Sequence, residues 1–298
     1  MSAFAAVLRG VYRLVGAKKV FGLPEHEIRK VIDKQNRHRG VFTPTDHKAY
    51  YETITVKDFP CLIVRANPKP SARAILYFFG GGMVIGPDQG DLPVMRKQMR
   101  DTGCDVWFPF YPLCTEHCIT ETYDMVYACY RQMIATYGGG NVSTCGFSSG
   151  GALALGIAAH NNAQPDPLPQ PRHIVAVSPG EVPWNDAEKT RMQALNAKDV
   201  AIDYAFMVTV EKFMRHGEKN VPDYMISGSR GIFPARGIST SFIPRTRCST
   251  ALCRILKRLA SVRGFPIPPL LGPKWCIATV CCPVLRSQRR TLRKSRIY

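Results

Sequence analysis

The sequence predicts an α/β fold in which a mostly parallel central sheet is covered by helices on both faces. Strand-like apolar segments alternate with helical segments and the connections are long, as parallel neighbours require. Residues 73–79 are apolar almost throughout, which is typical of a central strand buried on both faces. Glycine-rich turns follow this strand and the one at residues 142–147, at the ends where such sheets carry their active groups.

The predicted elements follow one another in a regular order. A short helix begins at Pro24 and ends near residue 37, and early acidic side chains favour its start. The remaining pattern predicts strands at 50–56 and 61–66 with turn residues 57–60 between them, a helix at 92–101, a strand at 104–110, a helix at 120–137, the strand at 142–147 with a small-residue helix after it, a strand at 173–178, and helices at 184–196 and 201–215.

The net charge of +18 is distributed unevenly along the 298 residues. Residues 1–228 carry 25 Lys and Arg against 22 Asp and Glu, whereas residues 229–298 carry 15 Lys and Arg and no acidic residue. A basic excess that would indicate nucleic-acid or membrane binding is therefore confined to the second part. We expect one large domain over residues 1–228, with small cap elements at about 1–40 and 184–215, and a basic tail over 229–298.

Composition places the protein in a broad class. Apolar residues make up 45% of the chain and no apolar run approaches the length of a membrane span, so a cytoplasmic protein without a transmembrane segment is expected. Arg9 and Arg13 interrupt the apolar N-terminus, which favours an amphipathic helix over a secretory signal. The 11 scattered cysteines suit a reducing compartment, and the Cys-x-x-x-Cys segment around His117 has no second pair nearby. No metal or organic cofactor is predicted.

Residues 146–150 form a G-x-S-x-G motif between an apolar strand and a small-residue helix. This is the pattern of a nucleophile elbow, in which a strained serine needs small neighbours two residues away on either side. Gly146 and Gly150 meet that requirement around Ser148. The helix that follows directs its first N–H groups and its positive dipole end towards Ser148, which favours negative charge on whatever the hydroxyl attacks.

Three glycines, Gly80 to Gly82, directly follow the buried strand at residues 73–79. Glycines at such a position let the backbone approach a ligand closely and direct its N–H groups towards an oxyanion. Both glycine-rich turns are expected at the same edge of the sheet.

These motifs resemble the esterase and lipase group of the α/β-hydrolase fold that is related to hormone-sensitive lipase. The glycine loop, the Tyr-Pro-Leu segment at 111–113, the elbow, and the Ser-Pro pair at 178–179 occur in that group's order. The resemblance implies that Ser148 is the nucleophile and that the N–H groups of Gly81, Gly82 and Ser149 hold the oxyanion. It also implies that the helices over residues 184–215 belong to a cap. Phe79 stands where the group usually has a histidine, which is not its catalytic base.

The acid and the base of the triad are not identifiable. A serine hydroxyl needs an imidazole base, and that imidazole needs a carboxylate to orient it and stabilise its charged form. In this group both follow the elbow in the order acid, then histidine. Here the last acidic residue is Asp223 and the last histidine is His216. His160 is too far along the helix after Ser148, and a pairing of His216 with Asp203 or Asp223 has no support from the spacing.

The acid-free residues 229–298 leave three explanations open. They are an out-of-frame translation joined to a truncated hydrolase, a genuine basic arm that binds nucleic acid or anionic lipid, or the tail of a true pseudoenzyme. The nucleotide sequence around codons 220–235 separates the first explanation from the others. We therefore expect a serine hydrolase of small-molecule carboxylic esters, impaired as translated. The alternative is an inactive hydrolase-like scaffold that binds nucleic acid or anionic surfaces through a basic arm.

Overall fold

A computed structural model describes residues 16–183, 185–200 and 202–231, without the side chains of Ala17 and Ser229. The predicted N-terminal amphipathic helix and the basic tail lie almost wholly outside these residues.

The centre of the fold is a six-stranded sheet with the order β1-β2-β4-β3-β5-β6. The strands are β1 (Tyr50–Val56), β2 (Phe59–Arg65), β3 (Ala74–Phe78), β4 (Asp105–Pro109), β5 (Val142–Phe147) and β6 (Ile174–Val177). β3, β4, β5 and β6 are parallel, whereas β1 and β2 form an antiparallel hairpin at the edge beside β4. The predicted mostly parallel sheet is thus confirmed.

Helices connect and cover the strands. They are α1 (Ala17–Phe21), α2 (Glu25–Asn36), α3 (Asp91–Thr102), α4 (Ile119–Tyr137), α5 (Ser149–Asn162), α6 (Asp186–Asn196), α7 (Tyr204–Arg215) and α8 (Asp223–Ile226). α4 packs against α5, and α5 also contacts the 3₁₀ turn Gly228–Arg230. The predicted helices are present, with α6 and α7 beginning two and three residues later than the sequence pattern indicated.

The hairpin between β1 and β2 is tighter than predicted. Lys57 and Asp58 alone form the turn, with φ angles of 50° and 67°. Two central residues with positive φ match the twist of the flanking strands, so the turn can be this short. Phe59 and Pro60, predicted as part of the turn, instead pair with Val56 and Thr55.

The two predicted cap regions contact each other. Phe21 in α1 packs against Phe206 in α7 with ring centroids 4.6 Å apart. Lys18 donates hydrogen bonds to the carbonyls of Asn196 and Asp199, which lie at the end of α6 and just beyond it. These contacts bring chain segments far apart in sequence together at one end of the sheet.

Candidate active site

Ser148 lies at the sharp turn between β5 and α5. Its φ and ψ angles are 54° and −124°, a strained conformation for a residue with a side chain. Two backbone hydrogen bonds fix the turn. The Ser148 N–H donates to Val177 O and the Ser148 carbonyl accepts from the Gly180 N–H, each at 3.0 Å. The end of β6 therefore holds the serine in place.

The glycines around Ser148 are required by close backbone approach. A Cβ atom on Gly146 would lie 2.0 Å from Gly150 O. A Cβ atom on Gly150 would lie 2.3 Å from both Phe78 O and Phe79 O, at the end of β3. Such contacts are far inside van der Waals distance, so β5 and α5 can pass each other, and α5 can approach β3, only where these side chains are absent.

The glycine loop lies directly against the elbow. A Cβ atom on Gly80 would be 2.9 Å from Phe147 O and 3.2 Å from Ser148 Cβ. Gly81 and Gly82 have φ angles of 148° and 64°, which suit glycine. The two turns predicted to share one edge of the sheet are therefore adjacent in space.

Phe79, at the position where the resembled group has a histidine, is buried in the core. Its ring stacks on Tyr111 with centroids 4.1 Å apart and an interplanar angle of 1°. The Tyr111 hydroxyl donates to Phe79 O at 2.8 Å, which pins the end of β3 beneath the glycine loop. The phenylalanine thus has a packing role at this position.

An open cavity of about 490 Å³ runs beside the elbow. Ser148 lines it together with all the predicted amide donors, Gly81, Gly82 and Ser149. Its walls are mainly apolar, and the cap contributes side chains from α1 and α7, among them Phe21 and Phe206. A cavity of this size and character suits a small ligand with an apolar portion.

All seven histidines of the chain lie in the described residues, and none of them lines this cavity. His160 is near the far end of α5, ~18 Å from Ser148 at a rise of ~1.5 Å per residue. Its Nδ1 is 2.9 Å from the Tyr224 hydroxyl and its Nε2 is 3.0 Å from Gln164 Nε2. Burial lowers the pKa of His160, which favours the neutral imidazole.

The other histidine considered from the sequence, His216, caps the C-terminus of α7 with a φ of 46°. Asp203 caps the opposite end of the same helix, where its side chain accepts from Ala205 N–H. Asp223 pairs with Arg230 at 2.9 Å. The structure therefore does not bring His216 together with either carboxylate in the manner of a triad.

The cavity is lined by three carboxylates that sequence reasoning did not identify, Asp88, Asp91 and Glu181. Desolvation raises the pKa of Asp91 to about 6. Glu181 is buried in the loop after β6 and accepts a hydrogen bond from the Ser227 hydroxyl. The Gly180–Ser148 hydrogen bond, which fixes this loop beside the elbow, has no signature in the sequence.

No group of three His, Cys, Asp or Glu side chains in the described residues is arranged to hold a metal ion. His117 is instead 2.9 Å from Glu121, and the neighbouring Cys114 and Cys118 are buried thiols. Of the helices described, none has the length and apolar character needed to cross a membrane.

A sequence profile of the alpha/beta hydrolase fold family matches residues 75–243, more than half of the chain. The chain belongs to this family. The match includes the glycine loop, the elbow and the loop after β6, and it confirms both the predicted fold class and the predicted resemblance.

Individual relatives share low sequence identity with this alpha/beta hydrolase. A triacylglycerol lipase of Mycobacterium tuberculosis (strain ATCC 25618 / H37Rv) is 24% identical over 215 residues, which cover 71% of this chain and 43% of the lipase. The chain thus spans less than half the length of that relative.

Solved structures share the fold. A putative esterase from Staphylococcus aureus superposes with a TM-score of 0.63 at 19% identity, covering 94% of this chain and 95% of the esterase. An esterase from the bacterial hormone-sensitive lipase family gives a TM-score of 0.61 at 20% identity, with coverages of 89% and 86%.

Proposed function

We propose that this alpha/beta hydrolase binds small carboxylic esters and attacks them with Ser148, and that in this sequence the attack lacks its usual base. The observation that carries the proposal is the strained serine at the carboxyl end of a parallel strand, beside a glycine loop and an apolar cavity. The resemblance to esterases and a lipase agrees with it.

In the proposed reaction the Ser148 oxygen attacks the ester carbonyl carbon. The N–H groups of Gly81, Gly82 and Ser149 stabilise the negative charge that develops on the carbonyl oxygen. Collapse of the intermediate expels the alcohol and leaves the acyl group on Ser148. Water then releases the acid.

Both steps need a proton acceptor, first for the serine hydroxyl and then for water. None of the chain's histidines lines the cavity, so neither step has an imidazole. We therefore expect slow acylation and slow turnover. Serine proteases that lack triad members retain about 10³-fold catalysis over water from the oxyanion hole and binding, and the rate due to unassisted Ser148 is expected above that level.

The domain division follows from the same proposal. Residues up to about 228 would form the hydrolase domain, and α1, α2, α6 and α7 would form its cap. The contacts of Phe21 with Phe206 and of Lys18 with the end of α6 support this division.

A second function is proposed because of the uneven charge. With 15 Lys and Arg and no acidic residue, the tail at residues 229–298 would suit binding to nucleic acid or anionic lipid by an inactive scaffold. Binding of this kind would weaken steeply as salt concentration rises, and it would be unaffected by Ser148→Ala.

The test is hydrolysis of a short-chain p-nitrophenyl ester, with Ser148→Ala as the control. We expect a weak rate that the substitution lowers towards the residual rate of the oxyanion hole and binding, which does not need the serine hydroxyl. The neighbouring Ser149→Ala variant keeps its backbone N–H and should retain the rate. Equal rates for the wild-type and Ser148→Ala proteins would exclude the proposed nucleophile.

A further inference from the structure

Residues 84–87, the closing turn, follow the glycine loop and fold back on it. The Gly81 carbonyl accepts hydrogen bonds from the N–H groups of Val84 at 3.1 Å and Ile85 at 2.9 Å. A Cβ atom on Gly81 would lie 2.2 Å from Ile85 O, so the two backbone segments are in contact. Because the preceding Gly80 contacts the elbow, the position of the closing turn determines where the proposed oxyanion donors lie relative to the elbow.

The side chain of Asn36 joins helix α2 to the closing turn. Its Nδ2 donates to Val84 O at 2.8 Å, and its Oδ1 accepts from the Gly86 N–H at 3.0 Å. The carboxamide thus bridges the backbone on both sides of Ile85, whose carbonyl lies against Gly81. Val84 and Gly86 are buried, so removal of the carboxamide would leave two backbone groups to find new partners away from bulk water.

Asn36 is the last residue of α2 and lies on the buried face of that helix. Ile28 and Ile32 precede it at intervals of four residues, a spacing that places the three side chains along one face. The two isoleucines are 1% and 2% exposed, and they anchor α2 in the core. The helix is therefore a fixed support, and Asn36 extends from its C-terminal end to the closing turn.

The other hydrogen bonds between this part of the chain and the closing turn come from the backbone or are longer. The Gly40 N–H donates to Pro87 O at 2.8 Å. Arg39 Nη1 lies 3.3 Å from Gly86 O, and its side chain is partly exposed. Among the described side chains, Asn36 therefore makes the shortest hydrogen bonds to the backbone of the turn, and its substitution is the most direct way to release the turn.

We propose that Asn36 is a positioning residue that holds the glycine loop where its N–H groups can stabilise the charge developing during attack by Ser148. The inference rests on the proposed function, because it names what fixes the proposed oxyanion donors. Asn36 does not line the cavity, so it acts through the loop and not on the ester. Donors that are already in place need no reorganisation during the reaction. Loss of Asn36 should therefore slow the attack and leave binding by the cavity walls unchanged.

Covalent labelling of Ser148 separates these two effects. With a p-nitrophenyl alkylphosphonate, the serine oxygen bonds to phosphorus, p-nitrophenolate leaves, and the hydroxyl proton passes to water. Intact mass measured at increasing reagent concentration gives a dissociation constant and a maximal labelling rate. Asn36→Ala should lower the maximal rate about 10- to 100-fold. The dissociation constant should stay within about twofold of the wild-type value.

Asn161→Ala is a matched control. Asn161 lies near the far end of α5, where its Nδ2 donates to Leu168 O at 2.7 Å and its Oδ1 accepts from the Leu168 N–H at 2.8 Å. The variant loses the same two kinds of hydrogen bond to a loop, at a distance from the glycine loop. We expect the folded Asn161→Ala protein to keep both labelling constants of the wild type.

Hydrogen exchange measured by mass spectrometry reports on the loop without any chemistry at Ser148. Peptides that cover residues 80–87 should exchange at least about threefold faster in Asn36→Ala than in the wild type, because the closing turn opens more often. Peptides that cover residues 142–147 should keep their wild-type exchange. In Asn161→Ala, residues 80–87 should also exchange as in the wild type.

A wild-type maximal rate in Asn36→Ala, unchanged exchange over residues 80–87, or an equal loss of rate in Asn161→Ala would each overturn the inference. Absence of any adduct at Ser148 in the wild type, together with faster exchange over residues 80–87 in Asn36→Ala, overturns the proposed nucleophile and leaves the hold on the loop standing. Circular dichroism shows whether each variant is folded. If Asn36→Ala does not fold, Asn36→Asp keeps the acceptor for the Gly86 N–H, removes the donor to Val84 O, and should show the same fall in maximal rate.

Discussion

The two ends of α5 carry the two residue types of serine hydrolase chemistry in different environments. At the start, Ser148 is strained, held by backbone hydrogen bonds and faces a cavity. Near the other end, His160 is packed among Tyr123, Tyr127 and Tyr224 and is bonded to a phenol and an amide. The difference shows that a buried imidazole on the same helix does not make a catalytic base, because the helix itself separates the two groups.

Substitution of Gly150 should produce the largest effect on the serine end. The Cβ atom of Gly150→Ala would lie 2.3 Å from the carbonyl oxygens of the last residue of β3 and the residue after it, so α5 and the sheet would have to separate. We expect a loss of at least ~3 kcal/mol in the free energy of unfolding, together with loss of covalent labelling of Ser148 by a phosphonate ester. Urea unfolding measures the first and intact mass measures the second.

Gly22→Ala is a matched control for that variant. Gly22 has a φ of −90°, and its added Cβ atom would meet nothing closer than 3.5 Å. A stability change of Gly150→Ala as small as that of Gly22→Ala would show that the backbones are not as close as described.

The elbow was predictable because its requirements are local. Gly146, Ser148 and Gly150 lie within five residues, and the apolar strand and small-residue helix on either side are visible in the sequence. The approach of Gly80 to Ser148 followed from the rule that active groups gather at the carboxyl ends of parallel strands. The other strand and helix types were likewise predicted, with errors at their ends, whereas the short helix α8 was missed.

The rest of the site depends on contacts between distant residues. The position of Glu181 is set by the hydrogen bond between Gly180 and Ser148, and the Phe21–Phe206 contact joins residues 185 positions apart. Neither pair has a spacing or composition that marks it. The two-residue turn at Lys57 and Asp58 was missed because neither residue is glycine or asparagine.

At the other end of α5, His160→Gln should affect stability and leave Ser148 unchanged. The substitution removes an imidazole with two close polar partners, which is expected to cost about 1–2 kcal/mol at pH 8. Labelling of Ser148 should keep its wild-type rate. A large loss of labelling in a protein that remains folded would contradict the separation of the two ends.

The effect of His160→Gln on the free energy of unfolding should depend on pH. Burial lowers the folded-state pKa of His160 below its ordinary value of 6.5, so the unfolded state binds more protons in the interval between the two values. The stability associated with neutral His160 is present above pH 6.5 and is lost as pH falls through the folded-state pKa. The difference in unfolding free energy between wild type and His160→Gln should therefore shrink on acidification. Asp91 contributes in the opposite sense as pH falls through about 6 in both proteins.

The smallest effect is expected for Tyr224→Phe. This change removes only the hydroxyl that lies 2.9 Å from His160 Nδ1, while the ring remains packed against Tyr123. We expect a loss of about 1 kcal/mol in thermal or urea unfolding and no change at Ser148. A loss larger than that of His160→Gln would mean that the hydroxyl has a more important partner than the imidazole.

Chemical rescue tests the central claim most directly, because the claim is a serine without a base. Hydrolysis of p-nitrophenyl acetate is measured with increasing free imidazole for the wild-type and Ser148→Ala proteins, after subtraction of the reaction of imidazole alone. The account predicts that imidazole accelerates the wild-type rate to a plateau at least tenfold above its starting value and has no effect on Ser148→Ala. An equal response of the two proteins, or a fast wild-type rate that imidazole does not change, would contradict it.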